Sequence, residues 1–481
     1  MKPLTLLIII LFFSGSCYCQ AIAAPGMWRA LPPDLWGVAG QNTIRNNINW
    51  QTKPLLDKLI QLHPTLLRYP GGSIANWWDW REGWFVQSEY FPKDLGKLTR
   101  GPDKPEDFKR AVDLTGATPV WTLNMITSDL QEQLAMLHYV KSLGMTVTLV
   151  ELGSEFYLDG NEYIRNKYPA GVDYALECNR WRDSIKKHFP EAKCAYLGVM
   201  TKGNKANRRN EWNESLASVA INPDAITLHV YPQQSMPNAT AEQKGDPVEI
   251  LSEPFRAMDR IMKKDLAAFA GVSEIWITEY NMNNNTAPVQ GTWLHGLYVA
   301  LISMKFLEDL RITHCIYFTM CGKAGYGAIF TDDNGFGFGS GPKKEFVPPP
   351  DPPKTTPWSF SAAGYTMSRY GEAVKGKEKA TLISFKNVPQ LKCGTDGFSY
   401  PALYGWKFTA GASQEIIILN LSSLSISCDV QGICSPESRY IQSSAEAYTY
   451  VAKGNEMKTE EGVVSNSLAL KPFSLTLIKE K

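Results

Sequence analysis

The sequence carries almost no net charge, few histidines and no long apolar run beyond its first few residues. Lys and Arg number 49 against 48 Asp and Glu, a formal charge of +1. No global field therefore draws the chain to nucleic acid or an anionic membrane. The six His are scattered and the Cys spacing matches no zinc site, so no metal or cofactor is expected. The glycines of 335–357 are not bracketed by a strand-to-helix turn and form no dinucleotide fingerprint; they read as a Gly- and Pro-rich rim. The one strongly apolar run, Leu6 to Phe13, is too short to span a bilayer. With Lys2 before it and small, polar residues after it, 1–24 reads as a signal peptide cleaved near Cys19 or Ala24, and the protein as secreted or periplasmic. A lipid anchor at Cys17 is the minor alternative. Nothing later is long and apolar enough to span a membrane.

Seven cysteines follow the leader, and in an oxidising compartment the best pairing joins Cys393 to Cys428 or Cys434. Sequons at Asn213, Asn238, Asn284 and Asn420 are no more than a chain of this length carries by chance.

What is present is an alternation. Apolar, β-branched runs alternate with amphipathic stretches, the pattern of a parallel sheet with crossover helices. Eight units can be counted, with strands at Leu35–Ala39, Thr65–Tyr69, Pro119–Asn124, Thr146–Leu152, Ala195–Val199, Ala225–Tyr231, Glu274–Thr278 and Thr313–Phe318. From about Glu378 the character changes to short alternating strands separated by Ser, Asn and Gly. The expected fold is α/β, a (β/α)8 TIM barrel over 25–376 followed by an all-β sandwich over 377–481. Residues 25–34 are open to joining the sandwich as an extra strand.

Two carboxylates follow strand ends. Glu155 closes Glu151-Leu152-Gly153-Ser154-Glu155 after the fourth strand, and Glu279 closes Ile277-Thr278-Glu279 at the seventh. Barrels of this class display catalytic groups at the C-terminal ends of their strands. A carboxylate pair there suits glycosidic bond cleavage, one group protonating the departing oxygen and the other attacking or activating water. Arg68, ending the second strand in Arg-Tyr-Pro-Gly-Gly, would hold a neighbouring carboxylate ionised, although alone it reads as well as an ion pair beneath a tight turn. Asn76-Trp77-Trp78-Asp79-Trp80 is either a sugar-stacking wall or a buried loop plug. His229 and Tyr231 share a face at the end of the sixth strand, where the Tyr hydroxyl can reach Glu279. Asn124 ends the third strand in the same manner.

Together these motifs resemble the clan A glycoside hydrolases: Arg-Tyr-Pro-Gly-Gly, Glu-Leu-Gly-x-Glu, His-x-Tyr and Thr-Glu-Tyr-Asn at the second, fourth, sixth and seventh strands. With a β-sandwich attached, the chain is similar to the α-L-arabinofuranosidase, β-xylosidase and β-glucuronidase/heparanase families, leaning to the arabinofuranosidase-like and glucuronidase-like branches. The resemblance implies a carbohydrate substrate, Glu155 as general acid/base, Glu279 as nucleophile and Arg68 as its partner. It implies substrate contacts from Asn76, Trp78, Asn124, Ser154, His229, Tyr231, Tyr280 and Tyr317, with Tyr317 or Phe318 as the eighth-strand platform. An apolar wall is expected to raise the pKa of Glu155. One departure stands out: the clan carries Asn immediately before the acid/base Glu, where this chain has Ser154. That motivates an alternative, a catalytically impaired glycan-binding protein on the same barrel.

Overall fold

The computed structural model describes residues 20–41, 48–86, 91, 103–203, 205–232, 245–282, 289–322, 326–331, 354–394 and 396–480. The leader through Cys19, including Cys17, and most of the 335–357 rim lie outside the described residues. Eight parallel strands close into a barrel in chain order: β1 (Trp36–Ala39), β2 (Leu66–Tyr69), β3 (Thr118–Thr122), β4 (Leu149–Glu151), β5 (Lys193–Leu197), β6 (Ala225–Val230), β7 (Ile275–Tyr280) and β8 (Ile312–Tyr317). The expected eight units all form. The fourth is shorter than expected, beginning at Leu149 rather than Thr146. Strands covered by helices are buried on both faces, and β1, β2, β6 and β7 are buried at every position.

The barrel floor is one apolar cluster of Ala39, Leu66, Val120, Leu149, Ala195, Ala225, Trp276 and Ile316. Three alanines leave room for Trp276, so the interior is a packed core and not a pore. Side chains alternate along a strand, so the residues two places further on point the same way. Arg68, Thr122, Glu151, Thr227 and Thr278 thus form a buried polar layer above that floor. Strand β7 breaks the alternation, because its pairing with both neighbours slips after Ile277. A bulge re-aims the residues beyond it. Glu279 consequently faces inward beside Thr278, while Tyr280 faces outward.

The C-terminal region is built on a nine-stranded sheet, with a separate two-stranded hairpin at Gln390–Cys393 and Phe398–Pro401. Strand Ala21–Ala30 lies within the larger sheet, antiparallel to Lys379–Lys386 and parallel to Ile426–Asp429. Ile416 and Ile418 from the middle of the sheet share an apolar cluster with Ile426, Cys428, Leu468 and Leu470 near one edge. The sheet therefore folds over on itself, which is how the expected sandwich is realised. Its other face, through Trp406, Phe408, Ile417, Leu419 and Leu477, belongs to the core shared with the barrel. Helix Trp293–Lys305 lies in that shared core and is buried along its whole length; its Trp293 indole donates to the Phe473 carbonyl at 2.6 Å. An all-round apolar helix needs cover on every side.

All seven cysteines are free thiols. The expected bond from Cys393 to Cys428 or Cys434 is not made, because Cys393 packs in the core shared with the barrel whereas the other two lie inside the folded sheet. Asn213 and Asn420 are buried, Asn213 bonding the Val199 backbone and Asn420 the Leu470 carbonyl; Asn238 and Asn284 lie outside the described residues. No helix among the described residues is long and apolar enough to cross a membrane.

Candidate active site

A pocket of about 410 Å³ opens at the C-terminal mouth of the barrel, lined by Glu155, His229, Tyr231, Glu279, Phe318 and Tyr326 together with Gln41, Arg209 and Lys202. Backbone geometry positions several of these groups. In the turn after β2, Gly71 and Gly72 have φ of 83° and 62°. A Cβ on Gly72 would lie 1.3 Å from Gln41 Oε1, so only glycine lets Gln41 occupy its place on the pocket wall. After β4, Gly153 turns at φ 88°, and Glu155 itself sits at φ 57°, a left-handed conformation that non-glycine residues rarely adopt and that tends to mark functional sites.

The Arg68 guanidinium lies buried between two carboxylates. Its Nε donates to Glu151 Oε2 and its Nη1 to Glu279 Oε1, both at 2.7 Å. Tyr231 donates its hydroxyl to Glu279 Oε2 at 2.8 Å, the contact its place on the sixth strand suggested. His229 Nδ1 stands 3.0 Å from Glu155 Oε1 and 3.5 Å from Glu279 Oε2. Glu155 is further approached by the Tyr157 hydroxyl at 3.5 Å. Over the Tyr157 ring lies the Arg209 guanidinium, 5.2 Å from its centroid.

Burial pushes the His229 imidazolium down, but Glu279 chiefly, with Glu151 and Glu155, raises its pKa to about 9. The ring is therefore charged at neutral pH. The Glu155 carboxyl behaves opposite to expectation. Burial does push it up, yet His229, with smaller help from Arg209, holds it below the ordinary carboxylate range. The wall against Glu155 is cationic and aromatic rather than purely apolar, so the site's mobile proton rests on His229, one hydrogen bond from Glu155.

Several expected contacts are not made at the pocket. Asn76 is buried and donates to the Ser154 carbonyl at 2.9 Å. Trp78 is buried too, its indole bonded to the Tyr69 hydroxyl at 3.1 Å, and Trp77 and Trp80 are buried beside it. The aromatic run is thus the loop plug and not the sugar wall. Asn124 caps its own loop, accepting from Ile126 and Thr127 backbone amides and donating to the Trp78 carbonyl. The Ser154 hydroxyl is buried and unpartnered and does not line the pocket. Tyr280, turned outward by the bulge, bonds Trp36 and Ser303. Tyr317 donates to the Tyr326 carbonyl at 2.6 Å, so it supports the rim while Phe318 and Tyr326 reach the cavity.

Glu151, Tyr157 and Gln41 belong to the site although their sequence context does not single them out. For Glu151 a signal existed: it stands two residues beyond the floor residue Leu149 and so shares its inward direction. Glu155, His229 and Glu279 also present one ligand atom each within 4.8 Å of one another, the spacing of a three-ligand metal site. The donor set argues otherwise. Both oxygens of Glu279 are engaged by Arg68 and Tyr231, and the His229 nitrogen that faces the trio is bonded to Glu155. Arg68 and His229 already stand against these carboxylates as organic cations.

No protein-family model and no curated protein matches the chain by sequence. Solved structures do match. The α-L-arabinofuranosidase of Thermotoga maritima, in its arabinose complex, superposes with a TM-score of 0.68 over 96% of this chain and 99% of that one at 15% identity. The family 51 α-L-arabinofuranosidase of Bifidobacterium longum gives 0.70 over 94% and 97% at 12% identity. The chain has their fold. A 4-O-α-L-rhamnosyl-β-D-glucuronidase of Fusarium oxysporum shares it as well, with a TM-score of 0.61 over 96% and 99% at 13% identity. Each superposition spans both the barrel and the attached sheet, and its low identity carries the architecture alone.

Proposed function

We propose that the protein is a retaining glycoside hydrolase that cleaves O-glycosidic bonds in oligo- or polysaccharides. The observation that carries this reading is the spacing of its carboxylates: one oxygen of Glu155 and one of Glu279 lie within 4.8 Å across the pocket. Retaining enzymes hold the two carboxyl groups about 5–5.5 Å apart, whereas inverting ones need about 6.5–9.5 Å to admit a water. Glu279 attacks the anomeric carbon, and the bond to the leaving oxygen breaks as Glu155 delivers a proton to it. That proton comes from His229 Nδ1, which passes it to the ionised Glu155 along their 3.0 Å contact, so that Glu155 is again a carboxylate and His229 neutral once the leaving group departs. In the second half, water attacks the glycosyl–Glu279 ester, its proton passes to Glu155, and His229 is recharged.

Sugar choice lies between arabinofuranosyl and glucuronyl. Two cations suited to a uronic acid, Arg209 and Lys202, line the pocket, which favours the glucuronidase-like branch. Ser154 favours a second reading. With its hydroxyl outside the cavity, it cannot serve the sugar's 2-hydroxyl as the clan's Asn does, as in a binding protein with impaired turnover. A screen of aryl arabinofuranosides, xylosides, glucuronides and galactosides separates the two, since the binding protein hydrolyses none. On the hydrolysed substrate, proton NMR of the first-formed sugar is expected to show the substrate's own anomeric configuration; the opposite anomer appearing first rules out the double displacement. Export completes the proposal. Ala21 and Ala23 are buried in the sheet, which supports cleavage of the leader near Cys19 over cleavage at Ala24.

A further inference from the structure

Beneath Glu155 and Glu279 lies a third carboxylate that the mechanism above leaves without a task. Glu151 is fully buried and does not line the pocket, so no sugar touches it. All its partners are fixed side chains. Oε2 accepts from Arg68 Nε at 2.7 Å and Thr122 Oγ1 at 2.9 Å. Oε1 accepts from Thr278 Oγ1 at 2.7 Å and lies 3.9 Å from His229 Nε2. At that separation the contact with His229 is ionic rather than a hydrogen bond.

We propose that Glu151 is a positioning residue that divides Arg68 between two carboxylates and keeps the His229 ring charged, so that Glu155 always has a proton within reach. The inference rests on the hydrolase reading for its purpose but not for its physics. Two cations, Arg68 and His229, face three carboxylates, Glu151, Glu155 and Glu279. Tyr157 and Tyr231 remain neutral donors, since burial raises both phenols well above their usual range. Arg209 stands beyond Tyr157 on the Glu155 side. In this set Glu151 is firmly committed to its charge. Burial opposes ionisation, but Arg68 and then His229 bring its pKa to about 2.

The division of Arg68 matters because a guanidinium given wholly to Glu279 would neutralise the attacking oxygen more completely. The charge on His229 matters because, with Glu155 held ionised beside it, the proton that Glu155 relays is the one His229 carries. A permanently ionised residue out of the ligand's reach performs both tasks without changing state during turnover. The threonine hydroxyls of Thr122 and Thr278 fix which oxygen of Glu151 faces which cation.

The experiment is an NMR titration of the His229 ring, assigned by the loss of its signal in His229→Gln, in the full chain and in Glu151→Gln. The wild-type midpoint is expected at about 9. Removing an opposite charge at this range should lower it by about 1–3 units. In hydrolysis assays the alkaline limb of kcat should fall by the same interval, with KM changed less than about twofold. Glu151→Asp, which retains the charge, should keep the midpoint near the wild-type value and so separates charge from packing. An unmoved His229 midpoint in Glu151→Gln overturns the proposal, as does an equal shift in both variants. If Glu151→Gln does not fold, Thr278→Val, which frees the Glu151 oxygen nearest His229, should still move the midpoint, and a static one there overturns the proposal too. Because the ring titrates whether or not any glycoside is hydrolysed, failure of the hydrolase reading leaves this test standing.

Discussion

Glu279→Ala is expected to lower kcat by about 10⁴-fold or more, the scale seen when a covalent nucleophile is removed from an otherwise intact site. The loss should be partly reversed by azide. The alanine leaves a space on the face of the sugar from which Glu279 would attack, bounded by Arg68 and Tyr231, each of which now bonds a Glu279 oxygen. A small anion held there by the Arg68 guanidinium can attack the anomeric carbon directly, giving a glycosyl azide of inverted configuration. Glu155→Ala behaves differently under the same reading. With a good leaving group its first step survives, azide intercepts the covalent intermediate, and the product azide has retained configuration. Chromatography and proton NMR of the two azide products check the assignment. Identical stereochemistry from both variants would mean that the roles are misassigned, and azide-independent activity in Glu279→Ala would remove the nucleophile altogether.

The second large effect falls on stability. Arg68→Met should destabilise the fold by about 3–5 kcal/mol at neutral pH, because Glu151 and Glu279 are left as buried charges without their partner. Thermal or urea unfolding measures it. The pH dependence gives the sharper signature. In the wild type the Glu151 carboxyl is held near a pKa of about 2, against 4.5 ordinarily, with Arg68 the strongest opponent of burial. Its folded pKa is depressed, so its contribution is fully present above pH 4.5 and is lost as pH falls from there towards 2. That interval is worth on the order of 3 kcal/mol. In Arg68→Met burial prevails and the sign reverses, so the variant should gain stability as the pH is lowered from neutral into the acidic range. A variant whose loss is the same at pH 4 and pH 8 would show that Arg68 acts by packing, not by charge.

Much of this architecture can be read in the chain because its strands are apolar runs with abrupt polar ends, and the barrel turns each end into a position at its mouth. The carboxylates Glu155 and Glu279, Arg68, and the His229–Tyr231 pair all stand where a strand end places them. What misleads is local chemistry read without direction. Asn76, Trp78 and Asn124 have the composition of a sugar platform, yet Asn124 donates to the Trp78 carbonyl and Asn76 to the Ser154 carbonyl within a loop plug, because the short segment after β2 must bury its own rings. Tyr280 follows Glu279 in an apolar strand, and a regular pleat would turn it inward with Thr278. The slip after Ile277 sends it to the helices instead, and nothing in Ile-Thr-Glu-Tyr announces that slip. Tyr157 comes from the loop after β4 and Arg209 from the first turn of helix Arg208–Ala217; they meet only through tertiary packing, so neither neighbourhood in sequence foretells the other.

The buried Trp293–Lys305 helix binds the two lobes into a single cooperative body. Stripped of its sheet, the barrel would offer water a continuous oily flank, so the accessory lobe is less an appendage than half of the barrel's coat. Changes tolerated on one side of that helix must therefore be matched on the other, and the pair should evolve, melt and be transplanted as one.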